Sequence, residues 1–132
     1  MGQFNKEALI ENAVSMKNSA RAPYSKYRVG AALAVENGKI ITGCNIEISN
    51  YSLTCCAERV ALFSAIAQGY EKFHAIAVAT DNGGSPCGSC RQVIFELCGN
   101  IPVFIVDGNN DIKEYSSEEL LPNAFTDKDL PR

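Results

Sequence analysis

The sequence predicts an α/β protein, a three-layer α/β/α sandwich around a mixed five-stranded sheet. After an opening hairpin, apolar strand-like segments alternate with segments of helical periodicity, which favours a sheet covered by helices on both faces. The chain has 132 residues, of which 46% are hydrophobic. That length and composition are typical of one globular domain, so we expect a single domain over residues 1–132.

The first predicted element is a helix near the N-terminus. Asn5 can cap it, because Asn side chains accept hydrogen bonds from the free N–H groups of a first turn. Leu9, Ala13 and Met16 fall on one face, and the pattern extends to about Ser19.

A β-hairpin follows the helix. Val29–Val35 and Lys39–Cys44 read as two strands, and the Asn-Gly pair within Glu36–Gly38 is a strong signal for the turn that joins them.

Two apolar helices are predicted on either side of an inner strand. Cys56–Gln68 and Gly88–Cys98 are expected to be buried helices, closed by Gly69 and Gly99 at their C-terminal caps. Phe73–Thr80 is almost continuously apolar, as expected of a strand covered on both faces.

The C-terminal part completes the sheet. Pro102–Val106 and Ile112–Tyr115 are predicted strands, with a turn at Asp107–Asn110 between them. Ser117 begins a short Ser-Glu-Glu-Leu helix that ends near Pro122.

Charge and hydropathy exclude several classes of partner. The formal net charge is −3, and no block of Lys or Arg occurs. Nucleic acid polymers usually require a basic stripe, so a small neutral ligand is favoured. No apolar run reaches the roughly 18 to 20 residues that span a bilayer, and Met1–Glu7 lacks a secretory signal profile. We expect no membrane partner and a cytoplasmic location.

The six cysteines indicate metal chemistry, because reduced thiols are expected where no secretory signal is present. Three lie in a split cluster: Cys56 in Cys-Ala-Glu, then Cys87 and Cys90 in Pro-Cys-Gly-Ser-Cys about thirty residues later. Three thiolates can fill three corners of a zinc tetrahedron and leave the fourth open. Of the neighbours Cys55 and Cys56, only Cys56 lies two residues before Glu58, so we assign Cys56 to the metal.

An open zinc position beside a carboxylate is typical of catalysis, because structural zinc sites usually fill all four positions with protein ligands. Glu58 is the expected proton carrier. Both thiol segments are predicted at helix N-termini, whose positive partial charge favours thiolates. Arg59 is expected to offset the remaining negative charge through a hydrogen bond to sulfur. A structural zinc site and a redox Cys-x-x-Cys are the alternatives, but the latter leaves Cys56 and Glu58 unexplained.

These motifs resemble those of the short, homotetrameric, zinc-dependent cytidine deaminases, nearly from end to end. The matching segments are Ala22–Ser25, Val29–Ala32, Gly43–Glu47, Cys56–Arg59, Ser85–Gly88, Cys90–Val93 and Leu120–Pro122. The resemblance implies hydrolytic deamination of cytidine and deoxycytidine to uridine and deoxyuridine plus ammonia, within pyrimidine salvage. It also implies a zinc-activated water with Glu58 as proton shuttle, one zinc ion per subunit, and a homotetramer with shared active sites.

The resemblance assigns substrate contacts that spacing alone does not reveal. Asn45 and Glu47 alternate at the end of the predicted second strand, and the family binds the ribose 3′-hydroxyl with this pair. Tyr27 stands where the family usually has Phe, in the wall of the pyrimidine pocket. Ala57 would offer its backbone to the base.

Two aromatic residues match family positions that reach the active site of a neighbouring subunit. Phe125 matches the residue that stacks on the cytosine, and Tyr51 matches a second residue of this kind. The sequence departs from the family at Ile48, where Asn is usual, and at Tyr27, which adds a hydroxyl to the pocket wall. The first departure bears on the subunit contact near the ribose, and the second on affinity.

Other deaminases and a non-catalytic protein remain as alternatives. A blasticidin S deaminase shares the zinc cluster and the approximate length but lacks the Asn-x-Glu pair, so Asn45 and Glu47 favour a nucleoside. A nucleic-acid editing deaminase conflicts with the acidic charge balance, and a structural zinc protein would need a fourth ligand. Cytidine and deoxycytidine are not ranked, because the pair need not read the 2′-hydroxyl.

Overall fold

A computed structural model describes residues 4–131 of the chain, which form a mixed sheet flanked by helices. The elements are α1 (Lys6–Met16), β1 (Gly30–Val35), β2 (Ile40–Cys44), α2 (Ala57–Ala67), β3 (Phe73–Ala79), α3 (Gly88–Cys98), β4 (Pro102–Val106), β5 (Ile112–Ser116) and α4 (Ser117–Leu120). The strand order is β2-β1-β3-β4-β5, in which only β3 and β4 run parallel. The predicted α/β class and mixed five-stranded sheet are confirmed.

The two faces of the sheet are covered by different helices. In β1, Ala31, Leu33 and Val35 belong to the cluster that includes residues of α2 and α3, whereas Ala32 and Ala34 pack with α1. This alternation follows from the two-residue period of a strand. The strands β3 and β4 also supply both clusters, which explains why β3 is apolar almost throughout.

Much of the sheet face beneath α1 consists of alanine, beside Phe104 and Val106. Ala32, Ala34, Ala75, Ala77 and Ala79 lie there, and each is at most 1% exposed. Because alanine side chains are short, they let the backbone of α1 approach the sheet closely.

The first helix and the hairpin are slightly shorter than predicted. Asn5 caps α1 by accepting a hydrogen bond from the Ala8 amide at 3.1 Å. Residues 17–19 continue as one 3-10 turn instead of α-helix, because helix ends often tighten in this way. The hairpin connection at 36–38 has both Asn37 and Gly38 in the left-handed region, at φ 67° and 73°, as the predicted Asn-Gly turn requires.

The predicted burial of α2 and α3 holds for one face of each helix and not for the other. Phe63 and Ile66 on the outer side of α2 are 49% and 45% exposed, and only Cys90 and Ile94 of α3 are buried. Each helix lies on the sheet with one face covered, so its apolar residues on the other face remain accessible.

Two further findings concern the helices. Short 3-10 segments at Tyr51–Leu53 and Asp127–Asp129 were not predicted from the sequence.

Within residues 4–131, every helix is too short or too polar to cross a membrane.

Gly43 marks a close approach of α2 to the sheet. A Cβ atom at this position would lie 2.5 Å from the Ala61 nitrogen and 2.6 Å from the Ala57 carbonyl oxygen. The absence of a side chain on β2 therefore fixes how deeply the first turns of α2 sit on the sheet.

We predict that Gly43→Ala lowers the free energy of unfolding by about 1–3 kcal/mol, because the new methyl group must push α2 away from β2. Urea unfolding followed by circular dichroism measures the change. Gly88→Ala is the matched control, since a Cβ atom there meets no atom within 4 Å. Equal stability of Gly43→Ala and the wild type would contradict this packing argument.

Candidate active site

Two helix N-termini meet at one end of the sheet. Cys56 is the N-cap residue of α2 and Cys87 is the N-cap residue of α3, both with extended backbone. Neither side chain caps its own helix, so both sulfur atoms are available for another partner. Cys56 thus lies at the very end of its helix, one residue before the first turn that carries Glu58.

The three thiols of the split cluster lie together. Cys56 Sγ is 3.9 Å from Cys87 Sγ, which is 3.4 Å from Cys90 Sγ, and all three sulfurs lie within 4.8 Å of one another. Zn–S bonds of about 2.3 Å in tetrahedral geometry separate sulfurs by about 3.8 Å, so the thiols fit a zinc ion. Within residues 4–131 they are the one group of three or more candidate ligands.

Cys55 lies outside this cluster. Its backbone pairs with Ile46 through two hydrogen bonds of 2.9 and 3.0 Å, and its thiol is absent from the cluster. The structure therefore separates the two adjacent cysteines in the way that the Glu58 spacing suggests.

Glu58 is buried in the first turn of α2, with 4% of its surface exposed. Burial raises the pKa of this carboxyl to about 7, and negative charge on Cys56 acts in the same direction. A carboxyl group that titrates near neutral pH can both accept and release a proton.

Arg59 lies against the thiol cluster. Its Nη2 donates a hydrogen bond to Cys56 Sγ at 3.4 Å. Hydrogen bonds from the Cys90 thiol and from Arg59 lower the pKa of Cys56 well below the usual thiol range. The guanidinium therefore supplies positive charge where thiolate charge accumulates.

A cavity of about 270 Å³ opens beside the cluster. Its lining comprises Ser25, Tyr27, Val29, Asn45, Glu47, Thr54, Cys56, Ala57, Glu58, Val78, Thr80, Gly84, Ser85 and Cys87. The volume is close to the lower end of the range for small-molecule sites.

Asn45 and Glu47 both face this cavity and are each 8% exposed. The sequence predicted them at the end of β2, whereas they lie just beyond it. The segment stays extended because Ile46 bridges to both Arg21 and Cys55, so the two alternating side chains still share one side.

Asn45 organises the backbone that precedes β1. Its Oδ1 accepts a hydrogen bond from the Val29 amide at 2.9 Å, and its Nδ2 donates to the Tyr27 carbonyl at 2.8 Å. These two bonds hold the ring of Tyr27 at the cavity wall.

Glu47 holds the loop at residues 24–25, which precedes the segment held by Asn45. Its Oε1 accepts from the amides of Tyr24 and Ser25 at 3.0 and 3.1 Å, and its Oε2 accepts from the Ser25 hydroxyl. The Ser25 hydroxyl and these amides lower the pKa of Glu47, so this residue is a carboxylate at neutral pH.

The remaining predicted contacts divide into two groups. Tyr27 and Ala57 line the cavity, whereas Tyr51 and Phe125 do not. Tyr51 is 70% exposed and packs edge-on against Tyr24 with ring centroids 5.8 Å apart, and Phe125 is 57% exposed. Phe125 therefore lies outside the cavity of its own chain, whereas Tyr51 lines a neighbouring pocket that shares Ser25, Glu47 and Thr54 with the cavity.

Sequence reasoning missed the wall between β3 and α3, where Thr80, Gly84 and Ser85 line the cavity. They follow an inner strand at its carboxyl end, beside its parallel neighbour, which is where ligands bind in open α/β sheets. Their position after the predicted inner strand was the sequence signal that could have identified them as lining residues.

Arg91 holds the segment that leads to Cys87. Its guanidinium donates to the Pro86 carbonyl at 2.8 Å, the Ser85 hydroxyl at 2.6 Å and the Leu120 carbonyl at 2.9 Å. This clamp joins the thiol-bearing loop to the C-terminal part of the chain.

A metal centre with three protein ligands differs from a structural zinc site, which closes its fourth position with protein. A zinc ion held by Cys56, Cys87 and Cys90 would have three protein ligands, and the cavity beside these thiols is also lined by buried Glu58, whose pKa is raised to about 7. Fold and site together therefore define a zinc-binding α/β enzyme of the hydrolytic class.

Comparisons with known proteins agree with this class and narrow it. Residues 4–106 match the family of the cytidine and deoxycytidylate deaminase zinc-binding region. The chain is 50% identical over 127 residues to a cytidine deaminase of Sporosarcina psychrophila, covering 94% of this chain and 93% of the relative. It is 44% identical over 130 residues to that of Halalkalibacterium halodurans, covering 96% and 98%.

Solved structures give the same result. The crystal structure of a cytidine deaminase from Burkholderia pseudomallei superposes with a TM-score of 0.88 at 45% sequence identity, covering 92% of this chain and 99% of that one. The chain therefore belongs to the cytidine deaminase family, as the sequence motifs predicted.

We predict that Cys56→Ala removes most of the bound zinc while Cys55→Ala retains the wild-type content, because only the Cys56 sulfur belongs to the three-thiol cluster. Atomic absorption on purified protein measures zinc per chain. The adjacent cysteine serves as the matched control. Zinc loss in Cys55→Ala with retention in Cys56→Ala would reverse the assignment.

Proposed function

We propose that this chain, as one domain over residues 1–132, hydrolytically deaminates cytidine and deoxycytidine to the corresponding uridines and ammonia. The observation that carries the proposal is the position of buried Glu58 beside the three thiols, in a cavity that also presents Asn45 and Glu47. Family membership supports the same reaction.

The free hydrogen-bonding capacity of Asn45 and Glu47 suits a sugar hydroxyl. An Asn side chain has two N–H donors and a carboxylate has about four acceptor positions. Asn45 uses one donor within the chain, and Glu47 uses three acceptor positions. One donor and one acceptor remain on adjacent side chains, which matches a hydroxyl that accepts from Asn45 and donates to Glu47.

The charge of the lining favours a nucleoside over a nucleotide. Two carboxyl groups, those of Glu47 and Glu58, line the cavity, and no Lys or Arg is among the described lining residues. A phosphate group would meet negative charge without a compensating cation, whereas a ribose hydroxyl finds an acceptor. The deoxycytidylate branch of the family is therefore disfavoured.

Glu58 carries the proton transfers in this proposal. Zinc held by Cys56, Cys87 and Cys90, one ion per subunit, supplies a Lewis acid that activates water near neutral pH. The Glu58 carboxylate accepts a proton from the attacking water and delivers it to N3 of the pyrimidine. After the oxygen has bonded to C4, Glu58 takes the remaining proton from that hydroxyl and passes it to the amino group, so that a C4 carbonyl forms as the C4–N bond breaks and ammonia leaves. In this proposal the Ala57 backbone, at the start of α2 and in the cavity lining, orients the base.

We also propose a homotetramer in which neighbours complete each site. Tyr51 and Phe125 match family residues of the substrate site yet lie outside the cavity of their own chain. The candidates for its interface are taken from the large apolar side chains that are exposed in the single chain. They are Ile48, Tyr51, Leu53, Phe63, Ile66 and Phe125. With a free nucleoside as substrate, the proposed role is cytoplasmic pyrimidine salvage.

We predict that Glu58→Gln keeps zinc and the fold but lowers turnover of cytidine by a factor on the order of 100 to 10,000, because the amide cannot carry the proton. The ultraviolet change on deamination is followed with cytidine, deoxycytidine and blasticidin S. Glu11→Gln, an exposed position on α1, is the control. Wild-type protein that converts neither nucleoside would contradict the proposed function, and zinc-loaded Glu58→Gln with normal turnover would contradict the role of Glu58.

We predict that Phe125→Ala lowers kcat/KM for cytidine by about tenfold or more through the loss of base stacking. Hybrid tetramers of Phe125→Ala and Glu58→Gln chains should then recover activity, because a site can take Glu58 from one chain and Phe125 from the other. Differently tagged chains are co-expressed and purified as hybrids. Hybrid activity no greater than the average of the two parents would contradict shared sites.

A further inference from the structure

Asn82 connects the two walls of the cavity. One wall consists of Tyr27 and the segment that Asn45 and Glu47 hold in place, and the other is the 80–87 segment that leads to Cys87. The Tyr27 hydroxyl donates a hydrogen bond to Asn82 Oδ1 at 2.8 Å.

Asn82 Oδ1 accepts further hydrogen bonds from its own segment. The Gly84 amide donates to it at 3.0 Å, and the Thr80 hydroxyl donates at 3.4 Å. The Gly84 amide also donates to Thr80 Oγ1 at 2.9 Å. Thr80 is 2% exposed, and its amide bonds to the Val106 carbonyl at 3.0 Å, so the group is anchored to the sheet.

Gly84 lies directly beneath the Tyr27 hydroxyl. A Cβ atom at Gly84 would lie 2.2 Å from Tyr27 Oη and 3.3 Å from Asn82 Oδ1. Gly84 is not among the residues with positive φ. The obstacle to a side chain there is therefore steric and comes mainly from one oxygen atom of Tyr27.

We propose that Asn82 is a positioning residue for the nucleoside site: through the Tyr27 hydroxyl it fixes the distance between the aromatic wall and the loop that carries Cys87. The proposal rests on the proposed function, since it assigns Tyr27 to the substrate wall. Glu58 takes no part in this hydrogen-bond group. Loss of the bond therefore weakens substrate binding and leaves the proton transfers intact.

The first test compares steady-state kinetics with cytidine. Tyr27→Phe and Asn82→Ala should each raise KM by about two- to tenfold, the range for one hydrogen bond, with kcat within about twofold of wild type. The double variant should match Asn82→Ala, because the hydroxyl has then already lost its partner. Tyr115→Phe is the control, since Tyr115 is equally exposed (37% against 38% for Tyr27) and lies on β5 outside the cavity. Fully additive effects, or a loss confined to kcat, would overturn the proposal.

The second test uses steric rescue. Gly84→Ala should raise KM more than Tyr27→Phe does, because the methyl group displaces the phenol. Combining Gly84→Ala with Tyr27→Phe removes the clashing oxygen and should return KM to the value of Tyr27→Phe alone. A double variant that is worse than both single variants would overturn the steric connection.

The third test needs no catalysis. Hydrogen exchange at the Gly84 amide in substrate-free, zinc-loaded protein should be faster in Tyr27→Phe and Asn82→Ala than in wild type and Tyr115→Phe. Unchanged exchange in both variants would overturn the proposal. Because exchange is measured without substrate, it separates failure of this proposal from a wild-type protein that deaminates no nucleoside.

Discussion

The structure depends on one electrostatic constraint: three thiols that must lose their protons lie within 4.8 Å of one another. Neighbouring thiolates repel, so the fold concentrates positive charge there. Cys56 and Cys87 occupy the N-caps of two helices, where partial positive charge is greatest, and Arg59 adds a full charge 3.4 Å from Cys56. The sheet aligns α2 and α3 so that both N-termini reach the same point. The sandwich thus places two helix ends together, and those ends make a metal site possible.

The polar residues of the substrate wall both hold the loop in place and face the ligand. Asn45 and Glu47 hold residues 24–29 through four hydrogen bonds to the backbone and one to the Ser25 hydroxyl, and each keeps hydrogen-bonding capacity that faces the cavity. A substitution at either position therefore changes the shape of the pocket along with the ligand contact. The measured effect of such a substitution on affinity combines the change in pocket shape with the loss of the ligand contact. A conservative substitution separates these two contributions better than a drastic one.

Much of this arrangement follows from local sequence signals. The Asn5 cap, the Asn-Gly turn and the Gly99 cap place element boundaries within a few residues, because each acts on nearby backbone. The register between Cys56 and Glu58 likewise selected the cysteine that the structure brings into the cluster. The exposed outer face of α2 could not be predicted, since Phe63 and Ile66 are apolar whether a second layer of protein covers them or not. The bond from Tyr27 to Asn82 links residues 55 positions apart, and no local pattern reports such a contact.

The alanine-lined face beneath α1 has a consequence for variation in the sequence. A Cβ atom at Gly30 would lie 2.0 Å from the Ala13 carbonyl oxygen, so α1 leaves no room for a side chain there. On the opposite face Gly43 meets α2 in the same way, although larger residues such as Leu33 and Leu62 pack beside it. Core redesign, or evolutionary drift, can therefore exchange volume among the larger residues of either cluster. The positions held almost fixed are the small residues at which a helix backbone meets the sheet, on both sides.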